Sequence, residues 1–180
     1  SDGYSSRNIE DKSRNENALS LMKEIGAEQP IFFDFPDNRL DSVDLLEVIQ
    51  KIESANKLFE PDIIYTHYHN DLNIDHRIAF QATITAYRPM PGKKKPIIYQ
   101  FEVLSSTELA IDNGFNPNIF CDVEAFFEKK ISLLKKYYDD EMRDFPYSRS
   151  YETISSLAAF RGSSVGIKSA EGFKLFREIK

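Results

Sequence analysis

Apolar positions along the chain alternate between a helical repeat and short continuous blocks. Ala18, Leu21, Met22 and Ile25 recur at helical spacing, with Arg14, Glu16 and Lys23 off the stripe. That pattern predicts a helix over Ile9–Ile25, ended by Gly26. Ile31–Phe35 is short, aromatic and stopped by Pro36, which predicts a strand and then a turn, Pro36–Arg39. Leu45, Leu46, Ile49, Ile52 and Leu58 form the apolar face of a second helix, Val43–Phe59, capped by Asp41 or Ser42 and closed by Pro61. Asp62–Thr66 predicts a buried strand, Asp75–Tyr87 a helix, and Pro96–Val103 a third strand. A long loop with a capping box at Ser105–Glu108 follows. Asp122 is expected to cap a long helix, Val123–Met142. Tyr151–Phe160 is the last full helix, and Ala170–Ile179 is a short terminal element.

Strands alternating with helices of ten or more residues predict an α/β fold with helices on both faces of a mostly parallel sheet. Ile31–Phe35, Asp62–Thr66 and Pro96–Val103 are its expected parallel members. Ligands of such sheets bind at the carboxyl ends of the strands. The polar loop His67–Asn73 leaves one of those ends.

Composition narrows the class. The 180 residues suit one domain, 1–180, with 41% hydrophobic and 29% charged positions, an ordinary globular mix. No apolar run approaches the ~20 residues of a membrane span. A single cysteine, Cys121, excludes an intrachain disulfide and points to a reducing, cytoplasmic setting. Cys121 reads as a small buried hydrophobe rather than a nucleophile. The net charge of −6 disfavours nucleic acid as a partner. Self-association is left open.

The three histidines, His67, His69 and His76, all fall within ten residues. With Asn70, Asp71, Asn73 and Asp75 they crowd imidazoles, carboxylates and amides into one loop and the start of one helix. A neutral imidazole is a common zinc ligand, and an adjacent carboxylate can orient or polarise nearby groups. The spacing matches neither a helical His pair nor a zinc finger, and a solvated polar loop is the competing reading. Arg14 reads either as a ligand for a phosphate or a sugar hydroxyl or as a surface ion pair. Asp37 reads either as a hydroxyl acceptor or as an Asx-turn. Glu102, on a strand, faces either a site or solvent.

The stretch Tyr65-Thr66-His67…Asn70-Asp71-Leu72-Asn73-Ile74-Asp75-His76-Arg77 resembles the second signature of the PIG-L/LmbE-like zinc-dependent de-N-acetylases. Phe35–Leu40, Ala86–Pro89, Phe101–Glu108, Asn116–Asn118, Glu141–Pro146, Arg149-Ser150, Arg161-Gly162 and Ala170–Phe173 resemble one bacterial branch of the family, so the likeness runs along nearly the whole chain. It implies a Rossmann-like sheet and a zinc-dependent hydrolase that removes the acetyl group from an N-acetylated sugar conjugate. His76 is then the metal ligand. Arg14, Asp37 and His67 are the expected substrate contacts, and Asn73, Asp71 and Asp75 the catalytic candidates. Asn73 stands where many relatives have a histidine; an amide can donate to an oxyanion but cannot deliver a proton. The acid role then passes to Asp75, Asp71, His67, His69 or the base itself. The family's first signature, His-Pro-Asp-Asp, occurs nowhere in this sequence. By the same resemblance, Ser1-Asp2-Gly3 corresponds to the turn after the family's second strand. An N-terminal strand–helix–strand is therefore expected to be missing, with the remaining zinc ligands upstream of Ser1. The alternative is a catalytically silent sugar-binding relative, or an inactive fragment, of the same fold.

Overall fold

The computed structural model describes residues 11–110 and 114–180. The start of the predicted first helix at Ile9 and the Ser1–Gly3 turn lie outside them. Helix α1 covers Asp11–Ile25 and α2 covers Leu45–Phe59. Asp44, not Asp41 or Ser42, caps α2, its carboxylate accepting from the amide of Leu46 at 3.0 Å. Strand β1 (Ile63–His67) runs into α3 (Ile74–Ala86), and α3 leads to β2 (Ile97–Phe101). This β1–α3–β2 unit is a parallel crossover, with Ile63 opposite Ile97 and His67 opposite Phe101. Strand β3 (Ile119–Asp122), α4 (Phe127–Tyr137), α5 (Tyr151–Ser163) and β4 (Ala170–Arg177) complete the order.

The four strands form one sheet in the order β1-β2-β4-β3. Only β1 and β2 are parallel, because β4 returns antiparallel between β2 and β3. The architecture is α/β, with a mixed sheet in place of the expected mostly parallel one. Ile31–Phe35 is not a strand. Asp34 sits at φ 53°, a left-handed conformation that breaks an extended run. Phe35 packs instead with Leu40 and Val43 against the α2–α3 core of Val48, Ile49 and Ala82. The predicted helix from Val123 starts only at Phe127, and Asp122 accepts from the amide of Glu124 in a turn. Cys121 lies on the edge strand β3 and is exposed, not buried. Among the described residues no helix is long and apolar enough to cross a membrane.

The strands sort their side chains by face. Thr66 and Gln100 are buried, with Thr66 near Thr83 of α3. Tyr65, His67 and Phe101 point the other way, and Tyr65 packs on Phe173 with ring centroids 5.1 Å apart. The site begins where this second face meets the carboxyl ends of β1 and β2.

Candidate functional site

Asp71 is the centre of the loop between β1 and α3. Its side chain is fully buried, yet both of its oxygens are paired. Oδ1 accepts from the backbone amide of Asn73 at 2.8 Å and lies 3.1 Å from Nδ1 of His76. Oδ2 accepts from the Thr107 hydroxyl at 2.5 Å and from Ser106 Oγ at 3.2 Å. Burial raises the cost of its charge, but the hydrogen bonds from His76, Thr107 and Asn73 outweigh it and hold Asp71 at about 2. An ionised carboxylate only accepts, so the facing Nδ1 of His76 carries a proton. Ser106 and Thr107 come from the turn after β2. The Thr107 hydroxyl also accepts from the Val103 amide at 2.7 Å, which fixes that turn.

His76 stands in the first turn of α3 with its side chain 19% exposed, so it reaches the surface while its carboxylate partner does not. His67 stacks on it, ring centroids 4.1 Å apart, and packs on Phe101 at 4.8 Å. Burial first, and the neighbouring His76 second, push His67 down to about 4, against a smaller pull from Asp71. His67 is therefore neutral at pH 7. His69 is turned elsewhere: its backbone amide and Nδ1 both meet Oε1 of buried Gln100, at 2.9 and 2.8 Å.

The other candidates have definite partners. Asn73 caps α3, its Oδ1 accepting from the Asp75 amide at 2.9 Å. Asp75 accepts from the Leu40 amide at 3.0 Å, tying α3 to the 37–40 turn. Arg77 braces the loop through the carbonyls of Asp71 and Leu72. Arg14 reaches Asp37 at 3.6 Å and Glu141 at 3.3 Å. Asp71, His76 and His67 thus form one contact group, and Arg14 and Asp37 form another. Asp71 is a poor proton donor in this setting: it has no exposed surface and is held ionised. The sequence gives neither Ser106 nor Thr107 a role at the site; both fall inside the capping box Ser105–Glu108 and the family-like stretch Phe101–Glu108, in a run of three hydroxyls after the strand next to β1.

Residues 1–87 match the model of the PIG-L family, described as GlcNAc-PI de-N-acetylase. Over that stretch the chain is similar to the PIG-L family. Solved structures share its fold. A conserved protein from Thermus thermophilus is 17% identical with TM-score 0.73, over 97% of this chain and 77% of that one. The N,N'-diacetylchitobiose deacetylase from Pyrococcus horikoshii, complexed with its inhibitor MPG, is 16% identical with TM-score 0.71, over 97% and 70%. The antimicrobial reagent A40926 pseudoaglycone deacetylase is 14% identical with TM-score 0.58, over 93% and 72%. No curated protein matches. At these identities the likeness is one of fold. Among the described residues, no three His, Cys, Asp or Glu side chains converge where a metal ion would be held. The donor set of the described residues therefore does not by itself fit a catalytic zinc, which takes three protein ligands.

Proposed function

We propose that the chain belongs to a de-N-acetylase that hydrolyses the amide of an N-acetylated sugar conjugate, an N-acetylglucosaminyl type being the reading favoured by the PIG-L match. One observation carries the reading. A buried carboxylate holds Nδ1 of His76 at 3.1 Å, at the carboxyl end of a parallel strand pair. A carboxylate behind one imidazole nitrogen is the arrangement that prepares the other nitrogen as a metal ligand. Zinc, when bound by such a centre, activates water and polarises the amide carbonyl. Because the described residues offer one such ligand, no hydrolytic step is assigned to them alone.

The residues have their own tasks under this reading. Asp71 fixes the tautomer and orientation of His76, and Ser106 and Thr107 fix Asp71. His67, neutral and stacked, covers one face of the His76 ring and narrows its motion. Asn73 spends its oxygen on the helix cap, which leaves its amide N–H group as a donor for a developing oxyanion. Asp75 positions the turn that carries Asp37. Arg14 and Asp37 supply donors and acceptors for sugar hydroxyls. The setting is cytoplasmic, on the strength of the lone cysteine.

Zinc titration of the chain by calorimetry tests the metal assignment. Weak binding that His76→Ala removes is the expected result. An unchanged isotherm in His76→Ala would overturn it. In any preparation that releases amine from an N-acetylglucosamine conjugate, His76→Ala should abolish release, and Asn73→Ala should slow it without changing the zinc isotherm. A protein that binds the sugar but never releases amine would be the sugar-binding relative.

A further inference from the structure

One contact beside the Asp71 centre comes from far along the chain. Arg149 directly precedes Ser150, the fully buried N-cap of α5, whose hydroxyl accepts from the Thr153 amide at 3.2 Å. The Arg149 carbonyl accepts from the Arg143 amide at 2.9 Å, so its backbone is anchored on both sides. From that anchored position the guanidinium reaches out with two arms. Nη2 donates to the Ser105 hydroxyl at 2.9 Å, and Nη1 lies 3.6 Å from Glu141 of the turn Asp139–Glu141.

Ser105 is held in a costly conformation. Its φ of 80° is left-handed, which a serine keeps only where its neighbours impose it. Two of the contacts that impose it lie inside the turn: the Ser105 amide donates to Glu108 Oε1 at 2.7 Å, and the Val103 amide donates to the Thr107 hydroxyl at 2.7 Å. Arg149 holds the turn from outside it. The two residues that follow Ser105 are the ones that meet the site. Ser106 Oγ and the Thr107 hydroxyl donate to Oδ2 of Asp71, and Ser106 Oγ also lies 3.4 Å from Nδ1 of His76. The Ser106 carbonyl accepts from the Leu72 amide at 3.4 Å, which ties the turn to the loop that carries Asp71.

We propose that Arg149 is a positioning residue for the Asp71–His76 pair. It holds Ser105 in the left-handed conformation and so keeps the Ser106 and Thr107 hydroxyls on Asp71, which in turn orients His76. The planar fork suits the task, because its two ends serve a hydroxyl and a carboxylate at once. A lysine ammonium keeps the charge but not that geometry. The Arg149 side chain is 37% exposed, so its effect runs through the contacts of its head group rather than through packing.

The hold on Asp71 belongs to the folded chain itself, and only its meaning for catalysis rests on the deacetylase reading above. Its test therefore uses neither metal nor substrate. Amide hydrogen exchange, followed by ¹⁵N–¹H NMR of the chain, reads local opening residue by residue. The reporters are the amides of Leu72 and Asn73, which donate to the Ser106 carbonyl and to Asp71 Oδ1. The control is the His69 amide in the same loop, which donates to Gln100. Arg149→Lys should speed exchange at Leu72 and Asn73 by about tenfold, as expected for one lost charge-assisted hydrogen bond, and leave His69 unchanged. A contribution to general stability would speed all three alike. Ser105→Gly adopts φ 80° without strain and removes the hydroxyl that Arg149 grips, so in that background Arg149→Lys should change none of the three. Unchanged exchange at Leu72 and Asn73 in Arg149→Lys, equal acceleration at His69, or the same acceleration in the Ser105→Gly background would overturn the proposal. A chain that binds no metal and releases no amine can still pass this test, so the two readings fail separately.

Discussion

Asp71 is fully buried and charged, which costs free energy unless each oxygen is paired, and here four donors do the pairing. The carboxylate can orient His76 only while ionised. In ¹⁵N NMR of the chain, neutral His76 should be protonated at Nδ1, and Asp71→Ala should give a mixture of tautomers or favour Nε2–H. A pure Nε2–H form in the unmutated chain would contradict the assignment. His67 carries a second consequence. Its value falls from 6.5 when unfolded to about 4 when folded, so the unfolded chain takes up the proton first. Its neutral, buried form favours folding fully above pH 6.5, and that contribution is lost as pH falls from 6.5 to about 4. A shift of this size corresponds to about 3 kcal/mol. Urea unfolding of the metal-free chain should lose stability over that window. His67→Asn should flatten the slope there, and the Asp71 contribution should then fade between about pH 4 and 2.

At the scale of elements, the close fits are between turns and neighbouring strands. Gly162, in the last turn of α5, has room for no side chain: an added Cβ would lie 2.7 Å from the Ser169 backbone. Both partners are main chain, so Gly162→Ala should shift α5 off β4 and destabilise the chain by about 1–3 kcal/mol in thermal unfolding. Unchanged stability would mean that the contact yields more easily than the packing suggests. The helical repeats of α2, α3 and α5 and the blocks of β1 and β2 are legible in the sequence because their periodicity is local. Other elements are not. Ile119–Asp122 is four residues long and reads, as sequence, like the approach to a helix. Ala170–Arg177 mixes charges into its alternation and becomes a strand only because β2 and β3 flank it. Ile31–Phe35 has strand composition, but the left-handed Asp34 breaks it. The candidate site divides in the same way. The histidine loop is contiguous in sequence and stands out, whereas Ser106 and Thr107 reach Asp71 across 35 and 36 residues, a pairing that only the β1–β2 register creates.

Over the whole molecule, the sheet has two edges, β1 and β3, and they are guarded unequally. Strand β3 is four residues long, ends in Asp122 and has beside it the ion pair of Lys130 with Glu171, at 2.5 Å. Strand β1 reads Ile-Ile-Tyr-Thr-His, with no lysine or proline along it. Ile63 and Tyr65 are 45% and 53% exposed, and Leu58 and Phe59 at the end of α2 add exposed apolar surface. Natural sheets blunt such edges with charge, because unpaired amides and carbonyls beside apolar side chains recruit another strand. The net charge of −6 opposes association only weakly once salt screens it. The chain should therefore self-associate with rising concentration, and more so at high salt, when followed by light scattering. Ile63→Lys places a charge on the exposed end of β1 without touching Asp71, His76 or the α2–α3 core, so it should suppress association while leaving the melting temperature nearly unchanged. A chain that stays monomeric at high concentration and high salt would show that the twist of the sheet alone protects the β1 edge.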